Sequence, residues 1–157
     1  MVAASATLLA GCGFELRRAP QMNFRTLALA GFQPRSPLAH ELRTDIDASA
    51  TTSVVDDIAR AQVILEAITD TRERVVVAST AAGQVRELTL RTRFNFRLRT
   101  PSGRELIPAT ELLLSRDMSY SESAALAKEQ EESILFGMMQ SDIVAQVMRR
   151  LAAVKVL

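Results

Sequence analysis

The chain has 157 residues, 48% of them hydrophobic and 24% charged, with a formal net charge of +1. That composition fits one globular domain and not a disordered segment, and a charge so near zero gives no bulk attraction to nucleic acid. One cysteine and one histidine exclude an intramolecular disulfide and a cysteine metal cluster, and leave little material for a histidine triad or zinc site.

The cysteine closes the first recognisable stretch, Leu9-Ala10-Gly11-Cys12, after a run of small and apolar residues. Small side chains before a cysteine suit the cleft of lipoprotein signal peptidase. On this reading residues 1–11 are a signal-peptide remnant and Cys12 becomes the acylated first residue, carrying a thioether-linked diacylglycerol and an N-acyl chain such as palmitate. The competing reading is a buried cysteine at the end of an apolar strand, but a signal-like run beside Met1 is better kept out of the fold. No Lys or Arg precedes Cys12, so the basic n-region is expected upstream of Met1. Residues 12–22 read as a lipidated tether. Gly13 stands where an Asp would hold a lipoprotein at the inner membrane, and so permits passage to the outer one. No run of about 18 apolar residues follows, so attachment would be through lipid alone.

From residue 23 the pattern is that of a single α+β domain extending to residue 157. Arg25–Ala30 reads as a strand ended by Gly31 and Pro34. Ser36-Pro37 is a helix start, and Leu38, Leu42 and Ile46 make an apolar stripe. His40 falls off that stripe and reads as a solvated side chain. Residues 48–61 form a polar connector with room for a short edge strand at 52–55. Residues 62–69 and 73–80 are β-rich and read as one long strand kinked near 70–72. Gly83 supplies the turn after it. In 85–100, Leu88, Leu90, Thr92, Phe94, Phe96 and Leu98 alternate with polar residues, which is the clearest strand in the chain. After a turn at 100–103 a returning strand runs to Tyr120, broken or bulged at Pro108. Residues 124–154 predict a long helix, with Leu135, Met139, Ile143, Val147 and Leu151 spaced by four and Phe136, Met138, Val144 and Met148 widening the stripe. The expected fold is a four-stranded mixed β-sheet with two α-helices packed on one face.

No catalytic constellation stands out, and the adjacent pairs Asp56-Asp57 and Glu131-Glu132 read as solvated surface. The most informative pattern is basic. Arg91, Arg93, Arg97 and Arg99 share one face of one strand, opposite the aromatics. Guanidinium groups at that spacing fit a row of phosphates or carboxylates, so an anionic lipid headgroup or an acidic protein wall competes with a merely solvated strand. Without interleaved aromatics the face does not suit nucleic acid.

The segment Cys12-Gly13-Phe14-Glu15-Leu16-Arg17 resembles the opening of the outer-membrane lipopolysaccharide-assembly lipoprotein family LptE. Gly83-Gln84 before the alternating strand and Ala125-Leu126-Ala127-Lys128-Glu129 in the last helix are similar to family segments in the same order. The resemblance implies a non-enzymatic protein that plugs the lumen of the β-barrel protein LptD as a 1:1 complex. It further implies a role in assembling that barrel, and contact with lipopolysaccharide bound for the outer leaflet. By the same resemblance Lys128 is the lipopolysaccharide-binding lysine. Ala81 departs from the family's basic position near the hairpin, and the ladder Arg91, Arg93, Arg97 and Arg99 is expected to compensate. No metal or other cofactor is implied. A different class, an accessory lipoprotein of an ABC-type lipid-transport system, fits the tether and the size as well.

Overall fold

The computed structural model describes residues 21–155. Cys12, the signal-peptide remnant and most of the tether lie outside them. Among the described residues a mixed sheet of five strands carries two α-helices on one face. The strands are β1 (Thr26–Ala30), β2 (Ser53–Val54), β3 (Val63–Ser79), β4 (Val85–Arg99) and β5 (Glu105–Ser119), in the spatial order β2-β1-β3-β4-β5. β1 runs parallel to both β2 and β3, and β3, β4 and β5 form an antiparallel meander. The expected four strands become five because the connector's short edge strand pairs with β1 through Thr26–Ser53 and Leu27–Val54.

Helix α1 (Pro37–Asp47) starts where Ser36 and Pro37 predict, with Ser36 Oγ accepting from the Ala39 amide at 3.2 Å. The same hydroxyl donates to Asp70 Oδ2 at 2.9 Å and so pins the helix to β3. Helix α2 (Ala125–Ala153) is 29 residues long and follows a 3-10 turn at Glu122–Ala124. Its second half carries most of the buried positions, Ile143, Val144, Val147, Met148 and Leu151, which meet Leu38, Leu42 and Ile46 of α1 above Phe94, Phe96 and Leu98 of β4. A smaller cluster at the far end of the sheet joins Phe136 and Met139 to Leu88, Leu90 and Met118. Met138 was expected in the buried stripe but is 56% exposed. It lies on the flank of α2 turned away from the sheet.

β3 bends at a bulge and not at the predicted 70–72. Its pairing with β4 skips one residue between Ala67 and Thr69, so Ile68 is the extra residue. An extra residue reverses the alternation. Before the bulge Val63, Leu65 and Ala67 face the helices, and beyond it Asp70, Arg72 and Arg74 do. β5 runs through Pro108 as an edge strand, its register slipping between Thr110 and Ile107, so the missing proline N–H lies in a bulge. The hairpins closing β3–β4 and β4–β5 share one design. Thr80 and Thr100 each bond the glycine three residues on, and Gly83 and Gly103 have φ of 81° and 92°.

Candidate functional site

Both helices cover the same side of the sheet, so among the described residues the other side of β3, β4 and β5 is open beyond the loop that shields Ala28, Ala61 and Ile64. β4 puts Arg91, Arg93, Arg97 and Arg99 on that open side, because their neighbours Leu90, Thr92, Phe94, Phe96 and Leu98 are taken into the core. The predicted ladder is therefore real as geometry. Its charge is another matter. Glu66 on β3 accepts from Arg99 Nε at 2.8 Å and from Arg97 Nε at 3.0 Å. Glu111 on β5 lies 3.3 Å from Arg93 Nη1. Register sets Glu73 across from Arg91 and Glu105 across from Arg99. The sequence reading missed all four carboxylates, since only strand pairing brings them to β4. Among the described residues, Arg91 alone of the four arginines makes no ion pair, and it is exposed.

Lys128 stands on the first turns of α2, with its Nζ 3.0 Å from Ser119 Oγ and 2.7 Å from Glu131 Oε2. Ser119 is the cross-strand partner of Glu87, and directly opposed residues share a face. Lys128 thus reaches round the end of β5 to the rim of the open side. Glu87 and Arg91 are four strand residues apart, roughly 13 Å. Between them lies a shallow groove of about 540 Å³ lined by Val77, Glu87, Thr89, Asp117 and Ser119. Thr89 Oγ1 donates to Asp117 Oδ1 across it at 2.6 Å. The open side therefore carries Lys128 at its rim, an acidic groove, then Arg91 and Arg93, and finally the Glu66-bound pair Arg97 and Arg99.

His40 is exposed, as its place off the stripe predicts. The adjacent acidic residues do point apart, but each finds its own use. Asp56 pairs with Arg43, Asp57 caps the 3-10 turn at Ala59, Glu131 meets Lys128 and Glu132 lies 3.4 Å from Arg74. A second feature, with no local signal in the sequence, is a polar chain across the helix layer. Arg72 lies over the Phe136 ring at 5.6 Å and donates to Gln140, which donates in turn to Glu41. Ser141 adds a bond to Glu41 at 2.6 Å.

Two carboxyl groups are shifted, in opposite directions. The Arg99 hydrogen bond holds Glu66 below the ordinary glutamate range; burial, the next largest effect, opposes it, and the Arg97 hydrogen bond adds to the lowering. Burial, and then the nearby charge of Glu41, pushes Asp45 up. A depressed folded-state value contributes stability that is complete above the unfolded value and is lost as pH falls through the folded one. A raised value acts in the opposite sense, since Asp45 is better tolerated once protonated. Glu66→Gln is therefore expected to flatten the acid limb of the stability curve below the ordinary glutamate value, and Asp45→Asn to steepen it just above the ordinary aspartate value. Urea unfolding followed across that range by circular dichroism checks both slopes.

Sheet order and helix placement define a two-layer α+β fold also found in bacterial lipoproteins of known structure. The chain has a TM-score of 0.74 and 28% identity to uncharacterized lipoprotein B from Nitrosomonas europaea, covering 90% of this chain and 91% of that one. Rare lipoprotein B from Shewanella oneidensis gives 0.67 at 22% identity, over 82% of this chain and 95% of that one. A minor lipoprotein from Acinetobacter baumannii gives 0.68 at 20%, over 85% and 94%. No curated protein sequence matches the chain. The family is settled by sequence over most of the length: the LptE lipopolysaccharide-assembly model matches residues 24–151, and the chain belongs to that family. No helix among the described residues is long and apolar enough to cross a membrane.

Proposed function

We propose that this protein is a non-enzymatic lipoprotein of the outer membrane, anchored through acyl chains on Cys12, that seats inside the LptD β-barrel. There it helps the barrel assemble and presents basic side chains to lipopolysaccharide bound for the outer leaflet. Residues 1–11 belong to its signal peptide, 12–22 are the tether and 23–157 the domain. The observation that carries this reading is the family match over residues 24–151. The open side of the sheet supports it, because a plug needs one face free for cargo while the helices seal the core.

The headgroup contacts are assigned to Lys128, Arg91 and Arg93. Arg97 and Arg99 share one Glu66 oxygen, so their first role is to hold β3 to β4, with only their remaining donors left for cargo. Changing Lys128, Arg91 and Arg93 together to Glu is expected to weaken binding of purified lipopolysaccharide at least about tenfold, or about 1.4 kcal/mol, with the circular dichroism spectrum unchanged. The Lys128 part and the arginine part are expected to add, because they share no partner among the described residues. Unchanged binding in a correctly folded triple variant would refute the electrostatic contact. Co-purification from outer membranes tests the seat: a 1:1 complex with a β-barrel protein supports it, and capture of an ATPase complex refutes it.

A further inference from the structure

Every headgroup cation assigned above except Arg91 already has a carboxylate on it, and at Lys128 that carboxylate is close in sequence as well as in space. Glu131 lies one turn along α2 from Lys128, with Oε2 2.7 Å from Nζ. The lysine side chain is only 19% exposed, against 46% for Glu131. An ammonium has three donors. Ser119 Oγ and Glu131 Oε2 take two of them, so at most one is left facing solvent. A phosphate arriving at that donor would stand beside the Glu131 carboxylate, and like charges at such range repel.

We propose that Glu131 is a built-in competitor for the Lys128 site: it occupies the ammonium when no cargo is present and swings away when a phosphate-bearing headgroup binds. This rests on the assignment of Lys128 as a headgroup contact and adds the residue that tunes it. The exchange is inexpensive because Glu131 is half exposed and keeps water as an alternative partner, and an exposed ion pair is worth little. Ser119 stays bound through the exchange and fixes the direction of Nζ. The consequence is a weakened and reversible contact, which suits cargo that has to be passed on. It also disfavours cargo without phosphate, which has nothing to offer the lysine in place of the carboxylate.

The test uses the full chain, with purified lipopolysaccharide and its enzymatically dephosphorylated form as probes, at fixed ionic strength. Glu131→Gln is expected to tighten binding of the phosphorylated probe about two- to fivefold and to leave binding of the dephosphorylated one unchanged. Glu131→Ala should give the same gain, since the effect is loss of a charge and not a new contact. Lys128→Gln should weaken the phosphorylated probe, and Lys128→Gln with Glu131→Gln should show no gain over Lys128→Gln alone. If Lys128→Gln weakens binding but neither Glu131 variant strengthens it, the competitor role is wrong while the Lys128 contact stands. If Lys128→Gln changes nothing, the contact itself is wrong. A gain from Glu131→Gln that survives loss of Lys128, or that extends to the dephosphorylated probe, also overturns the proposal.

Discussion

Gly31→Ala is expected to cost about 3 kcal/mol or more of unfolding free energy, although it adds a single methyl group at the end of a five-residue strand. A Cβ built there would lie 2.2 Å from the Ala67 carbonyl oxygen and 3.2 Å from its carbon. Those are backbone atoms of the neighbouring strand, so no rotamer change relieves the clash. Gly31 also has φ of 76°, where an L side chain is strained. The site is sensitive for a further reason. Ala67 is the residue before the β3 bulge, and the bulge decides which side of β3 faces α2. Pushing Ala67 away therefore threatens the placement of Arg72 and Arg74 as well as the local contact. Gly83→Ala is the matched control. Its φ is 81° but nothing lies within 4 Å of its Cβ position, so only the conformational cost of about 1–2 kcal/mol should appear. Urea unfolding of both variants gives the comparison. Equal losses would show that the contact between Gly31 and Ala67 is not the source of the effect.

The same bulge marks the limit of what periodicity could reveal about the fold. β4 alternates without interruption, and both its limits and its buried face follow directly from Leu88, Leu90, Phe94, Phe96 and Leu98. α1 was equally plain, because Ser36, Pro37 and a four-residue apolar repeat agree with one another. β3 was harder. Its first half is apolar on both sides, with Val63, Ile64 and Leu65 all fully buried, since β1 covers the edge and a loop covers the second face. Beyond the bulge, Asp70 to Arg74 are polar at every position and Val75 to Ala78 apolar at every position. Neither half shows a period of two, so nothing in the sequence located the extra residue at Ile68. β2 has two residues, too few for any periodic signal.

The arginine ladder was legible for the same reason as β4: one strand, one alternation. What it does was not legible, because Glu66, Glu73, Glu105 and Glu111 come from two other strands and meet the arginines only through register. A reading confined to β4 therefore gave the face more free positive charge than it has. Lys128 could be singled out only through its family-like segment; its bonds to Ser119 and Glu131 depend on where β5 ends and α2 begins. The chain from Arg72 through Gln140 to Glu41 spans a sequence separation of 68 in one step and 99 in the next. Gln140 occupies a buried helical position that the apolar stripe skips, and a glutamine there carries no local sign of its partners.

Phe94→Ala is expected to be among the most destabilising truncations of a core side chain, at about 3–5 kcal/mol in a domain whose total stability is on the order of 5–15 kcal/mol. Phe94 is fully buried, and its ring stacks against Phe32 at 5.8 Å and Phe96 at 5.3 Å. It sits where β4 passes beneath both helices, so the cavity would be lined by several elements that cannot all collapse into it. Phe136→Ala makes the informative contrast. Phe136 belongs to the smaller far cluster with Leu88, Leu90, Met118 and Met139, is 8% exposed and is covered on one side by the Arg72 guanidinium. Between the two clusters lies Thr92, 2% exposed and with no hydrogen-bond partner for its hydroxyl among the described residues. That is a weak seam in the core, so Phe136→Ala is expected to cost less, about 1–3 kcal/mol, and to loosen the far end selectively. Hydrogen exchange separates the cases. Phe94→Ala should raise exchange throughout the sheet, while Phe136→Ala should raise it in the first half of α2 and at the β3–β4 hairpin and leave β1 and the base of β4 protected. Uniform exchange in both variants would mean that the two clusters unfold as one.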